Sequence, residues 1–215
     1  MRPRAAISWS GGKDSCAALQ RARGDFDVVA MMTMCDDASG RSRSHGLRSE
    51  VLDAQAERLG LRRVARSCTW QTYNDAVSDA LAELARDAIT HVVFGDILFP
   101  EHRQWAEDMC RPHGLVAVEP LFGSSTTTLF NEWVDSGSEA VIVTARAEFL
   151  DESWLGRSLQ RSMLDEFVSL GVDPCGERGE YHTVVVSSPL FSRPLTLDFG
   201  ERVQRSGCWA LDCRA

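Results

Sequence analysis

A short apolar run at residues 5–9 ends in two adjacent glycines, and residues 14–23 then carry a helical pattern followed by Gly24. A buried strand that turns through Gly11 and Gly12 into a helix aims the helix's unpaired N–H groups, and the positive end of its dipole, at one spot. That arrangement is an anion site, and it belongs to chains that build a parallel sheet with helical crossovers. Ser10 and Ser15 can add hydroxyl donors and Lys13 a full charge. Asp14 repels phosphate, so it reads as a first-turn helix residue or as an indirect Mg²⁺ contact through water. The loop matches neither G-x-x-x-x-G-K-[ST] nor G-x-G-x-x-G.

Beyond the loop, apolar periodicity alternates between strand and helix. Strands are expected at residues 27–34, 62–66, 91–94 and 115–118, and helices at 47–59, 73–88 and 101–113, with Gly60 and Gly114 as stops. The pattern predicts an α/β, Rossmann-like parallel sheet covered on both faces. It changes near residue 124. Helices at 127–134 and 159–170, a strand at 140–144 and strand-like runs at 183–186, 195–199 and 202–208 predict a smaller C-terminal α+β lobe. The expected units are 1–123, which carries the anion loop, and 124–215, packed together because no long linker separates them.

Composition sharpens the loop. Of 23 basic residues, 22 are Arg and only Lys13 is lysine. An ammonium is a compact point charge and a guanidinium a wide fork, so a tight phosphate loop can demand lysine. The net charge of −8 points away from nucleic acid, whose binding needs clustered cations. No apolar stretch reaches the roughly 20 residues of a membrane helix, and no signal segment is evident, so a cytoplasmic location is expected. Seven scattered cysteines without a C-x-x-C pair read as packed thiols rather than as a disulfide frame or zinc site. Each of the six tryptophans reads first as core, with adenine stacking as the alternative.

Ser10-Gly11-Gly12-Lys13-Asp14-Ser15 resembles the PP-loop of the N-type ATP pyrophosphatases. Within that superfamily, Cys175-Gly176-Glu177-Arg178-Gly179-Glu180-Tyr181-His182-Thr183 is similar to the Cys-Gly-Glu-Gly-Gly-Glu-Tyr-Glu-Thr signature of the diphthine–ammonia ligase family. Leu155-Gly156-Arg157-Ser158-Leu159, Pro189-Leu190-Phe191, His45-Gly46 and the Gly95…Arg103…Glu107 spacing resemble further family positions. The resemblance implies a five-stranded adenine nucleotide alpha hydrolase-like sheet, with the loop holding the β- and γ-phosphates. It also implies an AMP-forming ligase in which ATP adenylates a carboxylate and ammonia then attacks.

Carried onto this chain, ATP is expected at Ser8, Trp9, Ser10, Gly11, Gly12, Lys13, Asp14, Ser15, Met34, Gly95 and Asp96, with Mg²⁺ meeting Asp14 indirectly through water. His45, Arg103, Arg178, Tyr181 and His182 are expected at the acceptor, and Lys13, Glu177 and Glu180 in catalysis. The two glutamates could hold Mg²⁺, bind ammonium or act as base; alternatively they form a solvated acidic turn. Arg178 replaces the family's middle Gly, His182 its Glu, and Asp96 an Ala. These departures spare the ATP loop and leave the acceptor open. The expected partners are ATP, ammonia and a carboxylate-bearing acceptor, without nucleic acid or membrane; a homodimer is compatible with the chain. A PP-loop tRNA-modifying enzyme and a non-catalytic nucleotide-binding regulator are the alternatives.

Overall fold

The computed structural model describes all 215 residues. Strands β1 (Arg4–Ser8), β2 (Asp27–Asp36), β3 (Arg62–Cys68), β4 (His91–Val93) and β5 (Val116–Val118) form one sheet in the order β3-β2-β1-β4-β5. Every neighbouring pair in it is parallel. Helices α1 (Lys13–Ala22), α2 (Ser49–Leu59), α3 (Tyr73–Arg86) and α4 (Pro100–Cys110) make the crossovers. Their apolar stripes do what the periodicity predicts: Val77, Leu81 and Leu84 of α3 are fully buried against the sheet. Gly60 ends α2 in the left-handed region (φ 66°), where the Leu61 N–H returns to the Ala56 carbonyl at 3.0 Å. The strand order reverses between β1 and β4, so the crevice above their carboxyl ends is where such a sheet takes its ligand.

The rest of the chain builds α5 (Thr126–Asp135), β6 (Glu139–Arg146), α6 (Met163–Ser169), β7 (Tyr181–Ser187), β8 (Asp198–Arg205) and β9 (Cys208–Arg214). Its strands form a second sheet, β7-β6-β9-β8, entirely antiparallel. One hydrophobic core spans both sheets, running from Ile7, Leu19 and Leu52 to Val141, Phe167 and Tyr181. No helix is long and apolar enough to cross a membrane. All seven cysteines are free thiols, and all but Cys208 are buried.

Three elements differ from expectation. The helix expected at 159–170 is only Met163–Ser169, because Ser158 bridges Val141 and Leu159 N–H bonds the Ala140 carbonyl, tying that stretch to β6. Residues 195–197 form no strand, and β8 starts at Asp198. The run expected at 202–208 is broken by a turn: Ser206 and Gly207 both adopt positive φ (50° and 77°), which folds β8 back onto β9 as a hairpin.

Candidate active site

The loop after β1 is held from several sides. Gly11 has φ 90°, and its carbonyl accepts from Val185 N–H (2.9 Å) and from Gln55 Nε2 (3.0 Å). The loop therefore docks on the free edge of β7. Gln55, fully buried, also donates to the Val185 carbonyl (2.9 Å) and accepts from Trp9 Nε1 (2.8 Å). A Cβ on Gly12 would lie 2.2 Å from His45 Cε1, and one on Gly95 would lie 3.0 Å from the Asp14 carbonyl carbon. Glycine is thus required twice by close approach, once for His45 and once for β4 to reach the start of α1. Lys13 N–H is satisfied by Thr183 Oγ1 at 3.1 Å, while the Ser10 and Ser15 hydroxyls sit 3.2 Å apart.

Lys13 is 4% exposed. Its ammonium donates to Asp14 Oδ2 (2.9 Å) and to the Cys175 carbonyl, and lies 5.0 Å from the Tyr181 ring centroid. Burial works to lower its pKa, but the neighbouring Asp14 carboxylate leads the groups that outweigh it, so the pKa is raised and the group stays charged. Asp14 in turn is raised, burial outweighing the pull of Lys13.

Above this loop lies a cavity of about 530 Å³, within the range of small-ligand sites. Ser10, Lys13 and Ser15 are among its polar lining residues; Met32, Met34, Trp70, Tyr73, Phe94 and Trp105 are among its apolar and aromatic ones. Ser8, Trp9, Asp14, Gly95, Asp96, His45, Glu177, Tyr181 and His182 border it as well. The first sheet and the loop before β7 thus bring most of the expected residues together.

The expected pair of glutamates separates. Glu177 faces the cavity, accepts from Ile97 N–H at 3.3 Å, and is pushed up to about 7 by burial and then by Asp14. Glu180 is 1% exposed and does not line the cavity; its two oxygens accept from Asp173 N–H (3.1 Å) and Arg178 N–H (2.9 Å). It therefore ties the loop to itself and is buried away from the cavity, rather than paired with Glu177 there as the sequence suggested. Arg178 is exposed and off the cavity. Arg103 is 51% exposed on α4, bonded to Glu107 (3.1 Å), and also outside the lining. Neither arginine, both expected at the acceptor, lines this cavity. Cys175 is buried with its thiol pushed up, which removes it as a nucleophile. Tyr181 is buried too; its hydroxyl donates to the Pro174 carbonyl at 2.5 Å and its ring stacks on Phe167.

His45 and His182 stack at 4.6 Å between centroids. Burial lowers His45 to about 4, against its bond to the Thr183 carbonyl (2.7 Å); it is neutral, with Nδ1 carrying the proton. Burial also pulls His182 well down, helped by His45 and Lys13. The cavity wall therefore carries two uncharged imidazoles. Sequence reasoning missed Gln55, Arg43 and Tyr73, and it did not single out Trp70 and Trp105 among the six tryptophans as the ones at the cavity. The only available signal was position, since Trp70 and Tyr73 follow β3 at the sheet's ligand-binding end.

Residues 3–117 match the diphthamide synthase N-terminal domain and residues 125–212 its C-terminal domain. The chain belongs to the diphthamide synthase family. A protein named diphthine–ammonia ligase from Schizosaccharomyces pombe is 30% identical over 221 residues, covering 92% of this chain but 36% of its own length. The protein of that name from Rattus norvegicus is 29% identical over 230 residues, covering 94% of this chain and 86% of its own. A solved structure described as a predicted subunit of tRNA methyltransferase from Methanocaldococcus jannaschii superposes with TM-score 0.46 and 14% identity, covering 89% of this chain and 100% of that one. That likeness is too slight to argue from. Family membership and the five-stranded parallel sheet make the chain an enzyme of the ATP pyrophosphatase ligase type.

Proposed function

We propose that this family member adenylates a carboxylate-bearing acceptor with ATP, and that ammonia displaces AMP to leave an amide. The observation that carries this is the junction of the two sheets. The loop that anchors phosphate is hydrogen-bonded to β7, and the Lys13 ammonium bonds both Asp14 in the first turn of α1 and the Cys175 carbonyl of the loop before β7. Nucleotide and acceptor elements therefore meet at one ammonium group. In this reading the α1 N-terminus, Ser10, Ser15 and Lys13 grip the β- and γ-phosphates, and pyrophosphate is the leaving group.

Glu177 borders the same cavity and titrates near neutrality, so it receives the proton that ammonium or the attacking amine must shed. No group of three potential ligands is present that could hold a metal unaided. Mg²⁺ commonly arrives on the triphosphate with much of its water, and of the three carboxylates at the cavity Asp14 and Asp96 are the ones this reading leaves to meet it, Glu177 being the base. It would neutralise developing phosphate charge.

The test uses a protein-free metabolite extract with ATP, Mg²⁺ and either ¹⁴N- or ¹⁵N-ammonium. Mass spectrometry should show an acceptor whose hydroxyl is replaced by an amino group, about one mass unit lighter with ¹⁴N and carrying the label with ¹⁵N. Formation of AMP with no nitrogen-labelled product would overturn the amide step.

A further inference from the structure

Trp70 is 70% exposed, the most exposed aromatic ring in the chain, yet it lines the nucleotide cavity. One of its faces is not free. The Arg43 guanidinium lies over it at 4.1 Å, and that side chain is only 7% exposed. Arg43 is fixed from behind by Asp36 Oδ1 (2.6 Å) and the Cys68 carbonyl (3.0 Å), the last residues of β2 and β3. Its Nε has no hydrogen-bond partner. A buried N–H left unpaired costs free energy, so the guanidinium is placed for its flat contact with the indole at the expense of a hydrogen bond.

A ring this exposed with one face covered has its other face bare. Tyr73 sits beside it at 5.9 Å and Trp105 beyond at 5.9 Å, the latter pinned by Nε1 to Asn74 at 3.1 Å. These rings form an aromatic wall of the cavity whose outermost ring has one face unpartnered. The phosphate loop lines the same cavity. A ligand that fills it sets a polyphosphate on the loop and a flat π-system on the rings. A guanidinium behind the indole also disfavours a cationic guest and favours a neutral, electron-rich ring.

We propose that Trp70, backed by Arg43, is the stacking platform for the nucleobase of ATP. This assignment rests on the ATP-dependent reading above. Of the two readings open for the tryptophans, core suits Trp9, Trp133 and Trp154, which are buried, whereas Trp70 is exposed and takes the stacking alternative.

The probes are ATP, AMP and inorganic pyrophosphate, titrated by calorimetry and by tryptophan fluorescence into the native chain, Trp70→Ala and Trp70→Phe. Base–aromatic stacking is worth ~1–3 kcal/mol, so Trp70→Ala should weaken ATP and AMP by about 5- to 150-fold. Pyrophosphate, which has no base, should bind all three proteins within about twofold. ATP and AMP should quench native emission, and Trp70→Ala should lose that quench. Trp70→Phe keeps a ring and should recover most of the affinity. AMP binding unchanged in Trp70→Ala, or pyrophosphate binding lost along with it, overturns the platform. A native chain that binds neither ATP nor AMP overturns the ATP-dependent reading itself, a distinguishable result.

Discussion

Lys13 shows how one residue type can be demanded by its surroundings. Its ammonium is enclosed by Asp14, the Cys175 carbonyl and the Tyr181 ring, with 4% of the residue exposed. A guanidinium has no room there, although the charge would be the same. Lys13→Arg is therefore expected to lose turnover nearly as badly as Lys13→Ala, by about 10²–10³ in kcat. Steady-state kinetics with Lys13→Arg near native turnover would refute this. Glu177 offers a pH test. Its carboxyl titrates at about 7 in the folded protein, against about 4.3 for an unperturbed glutamate. Between those values the folded state binds more protons than the unfolded one, so stability falls as pH rises through the window. Glu177→Gln removes the buried charge and should be more stable than the native chain by about 1–3 kcal/mol above pH 7, the gain vanishing toward pH 4. Denaturant midpoints at the two pH extremes check it; a pH-independent difference would contradict it.

Elements were legible where local chemistry decides and illegible where tertiary contacts do. The strand–loop–helix at residues 5–23 follows from Gly11, Gly12 and apolar periodicity, and the parallel order follows from alternation. The shortened α6 could not be read, because the Ser158–Val141 bridge is a long-range contact. The β8–β9 hairpin was signalled by Ser206-Gly207, but that turn lies inside a run whose alternation suggested one strand. Spacing also made Glu177 and Glu180 look equivalent. Only the folded loop shows one aimed at the cavity and the other spent on backbone N–H groups. Their amide variants should accordingly behave differently. Glu180→Gln retains one acceptor oxygen but sets an NH₂ against a buried N–H, costing about 1–3 kcal/mol of stability. Glu177→Gln should instead fold well and lose about 10² in amide formation. Thermal melts together with product assays separate the two, and equal effects of the two changes on both readouts would contradict the division of roles.

At the scale of the molecule, the two sheets do not form a catalytic half and an appendage. Gln55 joins Trp9, Gly11 and β7 through three hydrogen bonds, and one apolar core runs beneath. Calorimetry should therefore show a single cooperative unfolding transition for the native chain, with two resolved transitions as the contrary result. Gln55→Ala leaves several buried polar groups unpaired and should lower stability by at least about 2 kcal/mol. In the proposed reaction, this coupling lets the loop after β1 and a glutamate before β7 act together.

The bond cleaved in ATP tests the account most directly. Phosphorus NMR of the native chain with ATP, Mg²⁺, ammonium and the metabolite extract should show AMP and pyrophosphate accumulating together, with Lys13→Ala abolishing both. ADP and orthophosphate in their place would contradict the assignment of the loop and the chemistry built on it.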